Sequence, residues 1–185
     1  MKSFIISRTI IHTIFLLLSI IIALLAKYYA DQFSGPIIPD LVLDNIPYVN
    51  TDFFFYQGAF ILIALVLLLL IRMPRYIPFT FASIALFYFV RSGFMVTTHL
   101  PAASAISGND LFFSGHTGLP FLFSLIFWKY KIPRYVFMVS SVIAGVAVLL
   151  SHVHYTIDVL GAYFITYTIF VTAKKVFKKE YNMTI

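Results

Sequence analysis

The stretch Ser151 to Phe164 reads SHVHYTIDVLGAYF, and it has a partner at Asp110 to Thr117, DLFFSGHT. These two short runs hold three of the five histidines and two of the seven acids. Their surroundings are oil: 61% of residues are apolar, 11% are charged, and the mean hydropathy is +0.96. That composition belongs to an integral membrane protein. In a bilayer an ionisable side chain is costly and by default functional, so polarity gathered in two runs marks them as a candidate site.

A membrane helix needs roughly 20 mainly apolar residues, and by that measure the chain reads as an all-α, polytopic membrane protein, a six-helix transmembrane bundle. The spans fall at about 9–27, 53–71, 78–97, 111–128, 135–151 and 155–173, in one transmembrane domain over residues 1–185. The first follows Lys2 and Arg8, yet its apolar run is too long for a cleaved signal peptide, so it reads as a retained span. Little length is left for a separate soluble domain. Cysteine is absent, which removes disulfides and thiolate metal sites and leaves the redox compartment unread.

Basic residues set the orientation. Lys2, Arg8, Arg72, Arg75, Lys129, Lys131, Arg134, Lys174, Lys175, Lys178 and Lys179 share one side under the six-span reading, with only Lys27 and Arg91 departing. That side is expected to be cytoplasmic, with both termini on it. Every aspartate falls on the other side, with His99, His116, His152 and His154. The net charge of +6 is thus a signal of topology and of anionic lipid, and calls for no nucleic acid.

If the segment after Ser151 is helical, His154 and Asp158 lie on one face about a turn apart. The carboxylate then accepts the Nδ1 proton and leaves Nε2 basic. Ser114-Gly115-His116-Thr117 opens another span, where unpaired N–H groups and the helix dipole favour an anion. Ser114 and Thr117 offer hydroxyls there, Gly115 lets a ligand approach the backbone, and Asp110 leads into the segment. Capping and close packing explain the same small residues without any ligand. Arg91, near the outer end of the third span, is at the level of both histidines and suits a phosphate, against the simpler reading of a side chain reaching for the headgroup layer. His99 reads as a surface residue.

The loop Asp31 to Asp52 holds Pro36, Pro39 and Pro47 and is expected to be irregular, with a short turn near Leu41 to Asn45. Its acids read as solvated, the alternative being that Pro36 to Asp40 braces the site. The fifth span carries small residues (Ser140, Ser141, Ala144, Gly145, Ala147) suited to helix contact. The basic tail reads as frayed. Tyr88, Phe94, Phe112, Phe113 and Tyr155 are candidates for holding a quaternary ammonium, although ordinary packing is the commoner use of such rings. His116, His152, His154 and Asp158 are acceptable zinc ligands, a minor alternative; no metal and no cofactor is expected.

Phe113-Ser114-Gly115-His116-Thr117 and His154-Tyr155-Thr156-Ile157-Asp158-Val159, followed by Ala162-Tyr163, resemble the two signature segments of the sphingomyelin synthases, a branch of the type 2 phosphatidate phosphatase superfamily. Pro36-Ile37-Ile38-Pro39-Asp40 is similar to that family's Pro-Pro-Leu-Pro-Asp stretch, and Arg91 through Thr98 to Leu100-Pro101 to its Arg-containing segment. Gly108-Asn109 stands where the family has Cys-Gly, and Ile37 where it has a second proline. The Lys and Arg-Pro segment of the phosphatase branch is missing.

The resemblance implies a metal-independent transfer of a phosphocholine or phosphoethanolamine headgroup from a glycerophospholipid to ceramide or another lipid alcohol, or to water. It implies His154 as nucleophile and carrier of a phosphohistidine, Asp158 as its orienting group, and His116 as acid and base. Arg91, Asp110, Ser114, Gly115, Thr117 and Tyr155 form the expected substrate-binding set. A lipid phosphatase acting on phosphatidate or a polyprenyl diphosphate, and a non-catalytic lipid-binding protein, are the alternatives. The expected partners are a phospholipid donor and a lipid-alcohol acceptor in the bilayer, at the extracytoplasmic leaflet; whether the chain forms a homo-oligomer is left open.

Overall fold

A computed structural model describes residues 2–33, 36–98, 100, 101, 103 and 112–185. Among these are seven helices: α1 (Lys2–Ala30), α2 (Asp52–Arg72), α3 (Ile77–Thr97), α4 (Gly115–Ile126), α5 (Lys131–Leu150), α6 (Thr156–Val176) and α7 (Lys178–Asn182). No strand occurs among the described residues. Single 3-10 turns stand at Leu43–Asn45, where the sequence leads one to expect a turn, and at Pro74–Tyr76.

Among the described residues five helices are long and apolar enough to cross a bilayer; α4 is not one of them. Its 12 residues rise only about 18 Å, against roughly 30 Å of hydrocarbon. The expected span 111–128 is therefore corrected to a shorter helix. Its apolar run is cut by Ser114, whose hydroxyl caps the helix by accepting from the Thr117 N–H, so Phe112 and Phe113 stay outside. Their rings pack instead against Phe94, and Phe113 also against Phe87. At the other end Phe127 leaves the helix and the chain turns through Tyr130. Further boundaries move outward: α1 runs from Lys2 to Ala30, α5 starts at Lys131, because Pro133 is tolerated in a first turn, and α6 runs on to Val176.

α4 is wedged among α3, α5 and α6 by missing side chains. A β-carbon on Gly118 would fall 2.8 Å from the Phe87 ring and 2.9 Å from Thr166 Oγ1, and one on Gly145 of α5 would fall 3.1 Å from Val159. The apolar core runs through Phe79, Phe87, Phe113, Leu122, Phe127, Phe137 and Ile169. α1 lies along α3 and buries only His12, Ser19, Ala26 and Ala30 among its described residues. That spacing of seven, seven and four is a narrow seam of mostly small residues, as close helix contact in lipid requires. The remaining Ile and Leu side chains of α1, and most of α2, face outward, where in a bilayer they meet acyl chains.

The two ends of the bundle differ. At one end the loop after α1 is fastened to the α5–α6 corner, by Val49 N–H to the Leu150 carbonyl (2.8 Å) and Thr51 Oγ1 to the Ala147 carbonyl (2.9 Å). At the other the tail is docked, contrary to the expectation of fraying. Tyr76 donates to the Thr184 carbonyl (2.8 Å), Lys129 to the Ile185 carbonyl (2.7 Å), and Glu180 meets His12 (3.1 Å) and Arg8 (3.4 Å). Phe79 on α3 touches Phe170 on α6, ring centroids 6.3 Å apart. Counting twelve residues on from Phe79 and twelve back from Phe170 reaches Arg91 and Asp158, both about 18 Å along their helices. They therefore stand at one level, near the loop end.

Candidate active site

His154 and Asp158 meet, but on a different footing from the expected shared helical face. α6 begins only at Thr156, so His154 lies in the irregular corner before it. The first turn of a helix leaves N–H groups unpaired. Asp158, three residues into the helix cap, turns back to them: its Oδ2 accepts the Tyr155 N–H at 2.8 Å and lies 3.2 Å from His154 Nδ1. Asp158 is fully buried and His154 is 6% exposed. An acceptor at Nδ1 fixes the proton there and leaves the Nε2 lone pair on the far side of the ring. Asp158 Oδ1 is buried with no partner among the described residues.

α4 brings the second imidazole. The rings of His116 and His154 are 6.5 Å apart between centroids and inclined at 63°; the first is exposed, the second buried. The corner and α4 are tied directly, because the Ser114 N–H donates to the Asp158 carbonyl at 3.1 Å. Behind Ser114, Thr117 Oγ1 donates to its hydroxyl (3.2 Å), and Ser141 of α5 donates to the Thr117 carbonyl (2.7 Å). Ser114 and Thr117 are thus buried and committed to holding the α4 N-terminus. What they offer an anion is the set of backbone N–H groups they support.

Arg91 reaches this place from α3. Its Nε donates to the Phe113 carbonyl at 2.8 Å and Nη1 lies 3.1 Å from Met95 Sδ. A β-carbon on Gly115 would lie 3.6 Å from Nε, so the guanidinium covers the first residue of α4. Cation and helix N-terminus are therefore adjacent.

Tyr155 is 3% exposed, packed with Leu43 and Ala103, and its hydroxyl accepts the Ile38 N–H at 3.1 Å; it is placed in the corner's support. His152 goes elsewhere. It turns the corner at φ 50°, and its ring stands edge-on to Tyr48, 6.0 Å between centroids. Among the described residues no three His, Cys, Asp or Glu side chains gather as a metal ion needs, so the four suggested zinc ligands do not assemble. Asp110 and His99 lie outside the described residues. Ser141 was legible only as one of a row of small residues on α5.

Comparison with curated proteins, and with solved structures, returns no match. Residues 107–175, which carry His116, His154 and Asp158 but not Arg91, match the family model described as PAP2 superfamily C-terminal. That match supports the type 2 phosphatidate phosphatase superfamily and does not extend to its sphingomyelin synthase branch.

Proposed function

We propose that the protein transfers a phosphorylated headgroup between lipids through a covalent phosphohistidine. The observation that carries this reading is the pairing of a buried, carboxylate-oriented His154 with His116 across 6.5 Å, beside a helix N-terminus and Arg91. Nε2 of His154 attacks phosphorus and a P–N bond forms as the bond to the diacylglycerol oxygen breaks. His116 gives its proton to that oxygen. In the second half the acceptor hydroxyl gives a proton to His116, its oxygen attacks phosphorus, and the P–N electron pair returns to His154. Arg91 and the α4 N–H groups balance the charge on the phosphoryl oxygens. The distribution of basic residues supports a site on the extracytoplasmic side.

Purified protein in bilayers is given labelled phosphatidylcholine or phosphatidylethanolamine, with and without ceramide, and the products are identified. Transfer predicts a ceramide-linked headgroup, lost in His154→Ala. Free phosphocholine or phosphoethanolamine marks water as acceptor in the same mechanism. The superfamily match favours a second reading, hydrolysis of phosphatidate or a polyprenyl diphosphate with the same three residues, and free phosphate identifies it. Binding with no turnover on any of these lipids overturns both.

A further inference from the structure

The first turn of α6 must have its N–H groups satisfied, and the residue at its cap position is Tyr155, whose ring cannot do it locally. Asp158 takes the N–H of Tyr155, as above. The N–H of Thr156 is taken from 116 residues away: it donates to Asp40 Oδ2 at 2.7 Å, while Thr156 Oγ1 donates to Asp40 Oδ1 at 2.7 Å. Asp40 is itself fixed, since Oδ1 also accepts the N–H groups of Val42 (2.9 Å) and Leu43 (3.2 Å), and its own N–H donates to Asp44 Oδ2 (3.2 Å). Two residues back, the Ile38 N–H is bonded to the Tyr155 hydroxyl. The loop thus grips both residues that follow His154.

Their place in the chain gives the grip a purpose. His154 precedes the helix and Asp158 lies inside it, so no helical hydrogen bond of its own fixes the imidazole to the carboxylate. The joint between them is Tyr155–Thr156. We infer that Asp40 is a positioning residue: capping α6 at Thr156 from the first loop, it sets the angle at which the His154 ring is presented to phosphorus. Burial alone would raise the Asp40 pKa, yet the bonds from Thr156, Leu43 and Val42 hold it below the usual carboxylate value, so the anion is the form the loop is built around.

The inference rests on the transfer reading, and its test separates the two. Asp40→Asn keeps an oxygen for the Val42 and Leu43 N–H groups but turns a donor amide towards the Thr156 N–H. It breaks the backbone half of the link to α6 while sparing the turn and the oxygen to which the Thr156 hydroxyl donates. The expected result is a fall in kcat of about tenfold or more, in the range for removing a group that orients a reactive one, with KM for the lipid unchanged. Thr156→Val, which removes the hydroxyl bond, loses part of this, Thr156→Ser keeps most of the wild-type rate, and Asp40→Asn with Thr156→Val loses more than either alone but less than the product of the two, because both bonds hold one joint. An Asp40→Asn protein that folds and keeps its kcat, or loses only in KM, overturns the positioning role; if it does not fold, Thr156→Val with unaltered kcat does the same. The Nδ1 proton resonance of His154 supplies a readout that needs no turnover. Should the wild type act on no lipid, the transfer reading falls, while a resonance shifted in Asp40→Asn and Thr156→Val but not in Thr156→Ser still upholds the brace, and one unmoved in Asp40→Asn removes it.

Discussion

Each end of the bundle buries an imidazole against a carboxylate. His154 Nδ1 is 3.2 Å from Asp158 at the loop end, and His12 Nε2 is 3.1 Å from Glu180 at the tail end. Their surroundings separate them. Glu180 also takes Arg8 at 3.4 Å, and the His12 ring is met by the edge of Phe177 at 5.4 Å. The other pair has no cation on its carboxylate among the described residues, and it faces a second, exposed imidazole. A His–carboxylate contact is thus not in itself a sign of chemistry. At the tail it joins the two ends of the chain across 168 residues; at the corner it holds one imidazole 6.5 Å from a second, exposed one.

The sharpest way to break this contrast is to remove each histidine in turn. His154→Ala is expected to lower turnover by roughly 10³- to 10⁴-fold with the fold intact, whereas His12→Ala keeps its rate per folded molecule; an equal loss in both would erase the distinction. Stability should respond the other way. Glu180→Ala strands His12 and Arg8 and is expected to cost about 3 kcal/mol, read as an earlier thermal midpoint in lipid micelles. Arg91→Lys keeps the charge but loses the planar fork and the hold on the Phe113 carbonyl, for a fall of roughly 10²-fold in kcat. The smallest effect concerns pH. Asp40 has a pKa lowered from the ordinary 3.8, so its contribution to stability is complete above that value and is lost as pH falls through the lower, folded one. Thermal midpoints of the wild type and Asp40→Asn should differ at neutral pH and converge in acid below 3.8.

What could be read in advance was local. Five membrane helices follow from apolar runs of sufficient length, and the meeting of His154 with Asp158 follows from a spacing of four. Even there the geometry differed, because the helix starts two residues after the histidine and the carboxylate reaches back to it. The excess length given to α4 came from counting Phe112 and Phe113 as helix, when Ser114 ends that possibility by capping. Asp40 read first as a solvated loop acid, with a brace at Pro36 to Asp40 only as the alternative, because its spacing in the chain could not name Thr156, 116 residues on, as its partner. Glu180 was hidden in a basic tail for the same reason. Long-range polar contacts leave no local pattern.

Gly118 and Gly145 have a consequence for the gap between the two imidazoles. Both stand where α4 is clamped, less than a turn below His116 in one case and against Thr117 in the other. The separation of the rings is therefore a manufacturing tolerance set by two absent methyl groups. Restoring one, as in Gly118→Ala, forces α4, Phe87 or Thr166 to shift, and any shift of α4 carries the His116 ring with it.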